Sequence, residues 1–184
     1  MPVRNTTARW GSIAQLFHWV IVALIITQFV LASIAADLPL GLAKLATLAR
    51  HKSVGITILG LAVLRLIWRW ANPTPVLPNT LKPYERVLAN VTHATLYALL
   101  FAMPITGWLM SSARNFPVSW FNLVQLPDLV APSRPLYEAL HTTHAVLAWI
   151  LIATAVLHVL AALKHHFVLK DDILRRMLPF TSSR

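Results

Sequence analysis

Residues 139–163 read ALHTTHAVLAWILIATAVLHVLAAL, 25 positions without an Asp, Glu, Lys or Arg. A bilayer core of ~30 Å is crossed by about 20 helical residues, so this stretch is long enough to span. Two others share its character: Trp10 to Ala36 and Val87 to Ala113 each run 27 residues without a charged side chain. A fourth, His51 to Trp70, has a charge-free core of only 12 residues, Ser53 to Leu64, before Arg65 and Arg69 interrupt it near one end. Arginines at that position can snorkel to the interface, and Trp68 and Trp70 beside them suit an aromatic belt. The prediction is an all-α integral membrane four-helix bundle with spans near 12–36, 50–70, 87–111 and 140–164.

Composition points the same way. The 184 residues are 57% hydrophobic and only 12% charged, too few polar groups to cover a soluble fold of this size. The net charge of +10 sits in clusters between apolar runs, a membrane-orienting pattern rather than a nucleic-acid footprint. With no cysteine, disulfides, zinc–thiolate sites, iron–sulfur clusters and c-type haem attachment are excluded. The first apolar stretch is too long for a signal peptide and lacks a small-residue cleavage site. A single membrane domain over residues 1–184 is expected, with no soluble catalytic domain.

The connections are Asp37 to Arg50, Ala71 to Arg86 and Arg114 to Glu138. The second is broken by Pro73, Pro75, Pro78 and Pro83, and the third by Pro117, Pro127, Pro132 and Pro135. Pro104 lies inside the third span and is expected to kink it. Eleven lysines and arginines fall on the side of the N-terminus, Arg184 among them; five (Lys44, Arg50, Lys52, Arg114, Arg134) fall on the other. The positive-inside rule then places both termini in the cytoplasm.

Eight histidines in so apolar a chain are the anomaly. A histidine inside a membrane span is costly and usually functional. All six acidic residues (Asp37, Glu85, Asp128, Glu138, Asp171, Asp172) lie outside the charge-free stretches. That argues against a proton relay or metal transporter, whose sites share carboxylates. His144 and His158 are 14 residues apart, which on a helix puts them within about 40° of one face and ~21 Å apart along the axis. By depth, His158 matches His18 near the cytoplasmic end, and His144 matches His51 near the outer end. Each pair can supply two axial imidazoles to one haem iron, a ligation that leaves no position for oxygen chemistry and suits electron transfer. His93 lies at the depth of the cytoplasmic pair, where it could replace His18 as a ligand or bond to the haem or a quinone. Arg65, 14 residues from His51, is a candidate clamp for a propionate of the cytoplasmic haem or a snorkelling arginine. Lys52 is the corresponding candidate at the outer haem. Gly55 and Gly107 could let a porphyrin approach the backbone. His165 and His166 could bond a quinone head group or snorkel, and His141 reads as a solvated interfacial residue.

At these residues the chain resembles the bacterial di-haem cytochrome b561 family, related to the cytochrome b subunits of nickel-iron hydrogenases and formate dehydrogenases. The resemblance runs through Leu16-Phe17-His18-Trp19, His51-Lys52-Ser53-Val54-Gly55, Arg65-Leu66-Ile67-Trp68-Arg69 and Pro73-Thr74-Pro75. It continues through His93-Ala94-Thr95-Leu96-Tyr97, Pro104-Ile105-Thr106-Gly107, the His144/His158 pair, and His165-His166-Phe167-Val168-Leu169-Lys170-Asp171 with Leu174, Arg176 and Met177. Lys52, Val54 and the 114–138 connection depart from the family pattern. The resemblance implies a four-helix bundle in the bacterial inner membrane holding two haems b, with His18, His51, His144 and His158 as ligands, and electron exchange with membrane quinone. Some compact members of the family oxidise superoxide at the outer face and reduce ubiquinone, and the short chain favours that free-standing type. The outer segments carry five basic and three acidic residues, a net +2 that can steer a small anion. Two alternatives stand beside this reading. One is a membrane subunit that docks a hydrogenase or dehydrogenase; the other is a non-redox membrane protein whose histidines bind a metal or serve packing.

Overall fold

The computed structural model describes residues 2–77 and 81–179; Pro78 and Arg184 lie outside them. The fold is all-α, with four helices each long and apolar enough to cross a bilayer: α1 (Ser12–Asp37), α2 (Leu42–Trp70), α3 (Pro83–Ala113) and α4 (Arg134–Phe167). Local chemistry sets their ends. The Asn5 carboxamide oxygen accepts from the Gly11 amide at 3.0 Å just before α1. The α2 C-terminus is closed by Asn72, whose Nδ2 donates to the Trp68 carbonyl at 2.9 Å, and Pro73 follows. Pro83 opens α3, where a missing N–H costs nothing, and the Glu85 carboxylate accepts from the Lys82 amide at 3.1 Å. At the far end of α3, Asn115 adopts a φ of 56° and Phe116 N–H bonds back to Ser111 C=O at 3.0 Å. That left-handed cap is one asparagine tolerates better than most residues.

The helices overrun the charge-free stretches. α2 starts at Leu42, not near 50, and α4 at Arg134, not near 140. Arg50 and Glu138 bound the apolar stretch without breaking helical backbone, because long charged side chains are good helix formers. Most of the expected Asp37 to Arg50 connection is therefore helix. α3 runs unbroken through Pro104. The connection after α3 holds a short antiparallel hairpin, β1 (Ser119–Trp120) and β2 (Val124–Gln125), with Ser119 opposite Gln125. Phe121 and Asn122 make its turn with φ of 48° and 59°.

Large apolar side chains face outward all along the helices; Trp149 is 72% exposed and Leu16 65%. In water such continuous apolar surface would be a liability, whereas lipid is its natural cover. The chain divides into two compact units. The first comprises Met1–Val20, Val63–Ala98 and Ile150–Arg184; the second comprises Ile21–Ala62 and Leu99–Trp149. Each brings together stretches of all four helices and so is a short bundle by itself. The histidines divide with them: His18, His93, His158, His165 and His166 belong to the first unit, and His51, His141 and His144 to the second.

Candidate functional site

In the first unit, α1 presents His18, α3 presents His93 and α4 presents His158. The rings of His18 and His158 stand 6.3 Å apart between centres, and those of His93 and His158 stand 5.3 Å apart. Metal–imidazole bonds are about 2 Å long, so two imidazoles facing each other across one metal have centres about 6 Å apart. The His18/His158 separation suits that arrangement, and the His93/His158 separation is too short for it. Arg65 reaches from α2 with Nη1 3.2 Å from His18 Nδ1 and donates through Nε to the Tyr97 hydroxyl at 3.2 Å.

In the second unit, His51 of α2 and His144 of α4 stand 6.5 Å apart between ring centres. The Thr106 hydroxyl of α3 lies 3.0 Å from His144 Nδ1 and 2.8 Å from the Ala102 carbonyl. With its hydroxyl proton on a backbone carbonyl, Ala102 or Met103, its oxygen would accept from Nδ1–H of the Nδ1-protonated tautomer. In that tautomer the imidazole lone pair is on Nε2, the atom a metal would use. Gly107 stands one position further along α3, and a Cβ there would come within 3.3 Å of the His144 ring. The space left by Gly107 is thus filled by the histidine. At Gly55 a Cβ would meet Gln28 Nε2 at 2.9 Å, so that glycine makes room for a side chain of α1.

Lys52 follows His51 but is committed elsewhere. Its ammonium donates to Pro117 C=O at 2.9 Å, Ser111 Oγ at 3.2 Å and Phe116 C=O at 3.3 Å, and lies 3.8 Å from the centre of the Phe116 ring. The hairpin is stitched to the same stretch of α2. Ser53 Oγ donates to the Ser119 carbonyl at 3.1 Å and accepts from the Phe121 amide at 3.0 Å, and Trp120 Nε1 donates to Thr57 Oγ1 at 3.0 Å. Lys52 therefore anchors the connection beside His51.

At the end of α4, His165 is buried with Nδ1 2.5 Å from Asp171 Oδ2. The chain turns back through Lys170, at a φ of 54°, to place that carboxylate. His166 lies edge-on to Phe167, and His141 lies beside Tyr137, one helical turn before His144 on α4. Among the described residues no cluster of three or more His, Cys, Asp or Glu side chains could hold a bare metal ion. What the histidines offer is one pair of imidazoles per unit with ring centres 6.3 or 6.5 Å apart. Thr106, Tyr97, Arg69 and Asp171 are missing from the residues singled out by sequence as functional. Tyr97 could have been found, because it lies four residues after His93 and so shares its helix face.

Residues 9–180 match the family described as prokaryotic cytochrome b561. A protein of Escherichia coli strain K12 named cytochrome b561 homolog 2 is 36% identical over 185 residues, covering 100% of this chain and 98% of its own. A Yersinia pestis protein named probable superoxide oxidase CybB is 36% identical over 129 residues, covering 70% of this chain and 73% of its own. Cytochrome b561 homolog 1 of the same Escherichia coli strain is 26% identical over 167 residues, covering 88% and 92%. By that match over residues 9–180 and its four apolar helices, the chain belongs to the prokaryotic cytochrome b561 family, multi-pass bacterial membrane proteins that bind haem b and transfer electrons.

Proposed function

We propose that this chain holds two haems b in the bacterial inner membrane, with both termini cytoplasmic, and carries electrons from superoxide at the outer face to ubiquinone. The observation that carries the reading is the repetition of one geometry. Two imidazole pairs, one in each unit, are separated by 6.3 and 6.5 Å, a spacing that would let each pair hold one metal between them. His18 and His158 would hold the cytoplasmic-side haem, and His51 and His144 the outer one. Haem b bound between two imidazoles supplies a one-electron couple and has no open position for oxygen.

The protein's own groups do the remaining work. Thr106, 3.0 Å from His144 Nδ1, would accept its N–H and so leave the Nε2 lone pair for the metal. Basic residues in the outer segments outnumber acidic ones, a field that draws in a small anion. Each of two superoxide anions gives up one electron and leaves as dioxygen, while ubiquinone takes those two electrons and two protons to become ubiquinol. His165, with Nδ1 on the Asp171 carboxylate, would take up a proton from water at Nε2 and hand it on to a quinone oxygen. The Yersinia pestis relative's name, probable superoxide oxidase, supports the choice of substrate.

The test is a reduced-minus-oxidised spectrum of purified protein with haem stoichiometry, followed by mixing with superoxide and ubiquinone. Two six-coordinate haems per chain and ubiquinol formation faster than spontaneous dismutation are expected. A single haem or five-coordinate iron overturns the ligand assignment, and ubiquinol formation no faster than dismutation overturns the substrate.

A further inference from the structure

The connection from α3 to α4 has a composition unlike that of a water-facing loop. Residues 115–127, NFPVSWFNLVQLP, are 13 positions without a charged side chain. Val118 is buried, but the hairpin leaves Leu123 74%, Val124 53% and Phe121 48% exposed. The polar side chains exposed beside them, Asn122 and Gln125, are uncharged.

Hydrogen bonds within the second unit fix the depth of this hairpin. Ser53 Oγ accepts from the Phe121 amide at 3.0 Å, and Trp120 Nε1 reaches Thr57 Oγ1 at 3.0 Å. Ser53 is the first residue of the charge-free core of α2, and Thr57 lies about one turn, ~6 Å, further along it. The α3 side agrees. Trp108 Nε1 donates to the Pro127 carbonyl at 3.0 Å, and Ser112 Oγ accepts from the Leu129 amide at 3.1 Å. Trp108 and Ser112 both lie within the charge-free run that ends at Ala113. Two helices thus hold the hairpin alongside stretches that carry no charge, where hydrocarbon begins.

Non-helical backbone is tolerated at that depth only if protein meets its polar groups. Here the Lys52 ammonium donates to the Phe116 and Pro117 carbonyls at 3.3 and 2.9 Å. The Leu126 amide bonds to the Val118 carbonyl and the Leu123 amide to the Trp120 carbonyl, each at 2.9 Å. These main-chain groups turn to α2 and to the hairpin itself, while the large exposed side chains are apolar. A loop in water has no such need and seldom presents a contiguous apolar surface. The same unit carries apolar surface of this kind on α4, where Trp149 is 72% and Val146 52% exposed.

We propose that residues 119–125 are seated in the membrane itself, at the edge of its hydrocarbon, with Phe121, Leu123 and Val124 against lipid acyl chains. The partner of this apolar surface is lipid rather than a second copy of the chain or a soluble redox protein. The proposal stands on the spanning helices and is independent of the number of haems.

The chain has no cysteine, so a nitroxide can be attached at one introduced thiol at a time. The full-length protein, haem-loaded and in phosphatidylcholine vesicles, carries the label at Leu123→Cys, Val124→Cys, Arg134→Cys or Trp149→Cys. EPR power saturation compares collisions with dioxygen, which concentrates in hydrocarbon, and with a neutral water-soluble nickel chelate. Each is measured against nitrogen, which subtracts the contribution of the haem. Arg134, its side chain 89% exposed at the start of α4, is the water reference, and Trp149 is the lipid reference. At positions 123 and 124 the oxygen-to-nickel collision ratio should be several-fold above that at 134 and close to that at 149. A ratio like that of position 134 at either site places the hairpin in water and overturns the proposal. Few collisions with either reagent overturn it in favour of a protein contact, a second copy being the occupant present in such vesicles. Two labelled positions keep the test decisive if one variant does not fold. A water-like ratio at Trp149 is a failure of the spanning reading, visible without the hairpin labels, and the proposal falls with it.

Discussion

The His18/His158 pair and the His51/His144 pair are spaced almost identically, at 6.3 and 6.5 Å, yet they are backed by different chemistry. Behind His18 stands the Arg65 guanidinium at 3.2 Å, with Tyr97 and Arg69 beyond it. Behind His144 stands a neutral hydroxyl, Thr106, at 3.0 Å, with Gly107 leaving room for the ring. On the proposed reading, one metal between each pair would account for the spacing being the same twice. The surroundings are free to differ, and they tune the electrochemistry. A unit positive charge ~10 Å from a redox centre, at an effective dielectric of ~20, is worth ~1.7 kcal/mol and favours the reduced form. On the proposed reading, the arginines would raise the potential of a haem held in the first unit relative to one held in the second.

Three measurements can break or sharpen this contrast. The largest effect is expected from the ligands: His144→Ala and His158→Ala should each lower the haem content from two per chain to one, and each should spare the other unit's haem. If His93→Ala removes a haem while His18→Ala does not, the first-unit pairing is wrong. Next is Thr106→Val, which keeps the shape and removes the acceptor for His144 Nδ1–H. It should weaken haem binding in the second unit by about 10–100-fold and leave the first unit unchanged, as loss of a partner behind a metal-bound histidine typically does. Haem titration of the apoprotein reads both affinities at once. The smallest effect is the intrinsic difference between the two haems. A redox titration should resolve two one-electron steps, with the first-unit haem poised higher by about tenfold in its reduced-to-oxidised ratio, or about 59 mV. Indistinguishable steps, or the reverse order, would show that the arginines do not govern the difference.

The hairpin and the end of α4 show where linear reading stops. Residues 114–138 carry four prolines and no alternating apolar pattern long enough to announce a strand. β1 and β2 are two residues each, and they persist because Ser53, Thr57 and Lys52 of α2 bond to that stretch. Such contacts join positions more than sixty residues apart and leave no local signature. Asp171 reads as one of several charges after the last span, until the left-handed turn at Lys170 brings it to His165. Thr106 sits within a quoted motif, but a threonine in an apolar helix commonly bonds its own backbone. Its second bond, to His144, exists only because α4 packs there. Gly55 and Gly107 were read as space for a porphyrin, and the structure fills both with protein side chains.

By itself the linear chain determined the number of membrane helices, since the energy of placing charge in hydrocarbon is so large that gaps between charged residues mark the spans. It also determined which histidines lie at matching depth, because helical rise converts residue number into distance along the membrane normal. Only the tertiary structure decided how far each imidazole stands from His158, what stands behind each ring, and that Arg65, Arg69 and Trp68 converge with Asn5 and Tyr97 on one pocket. Those choices depend on how each helix is rotated about its axis, and in lipid a nearly uniform apolar surface leaves rotation to packing between neighbours rather than to any pattern along the sequence.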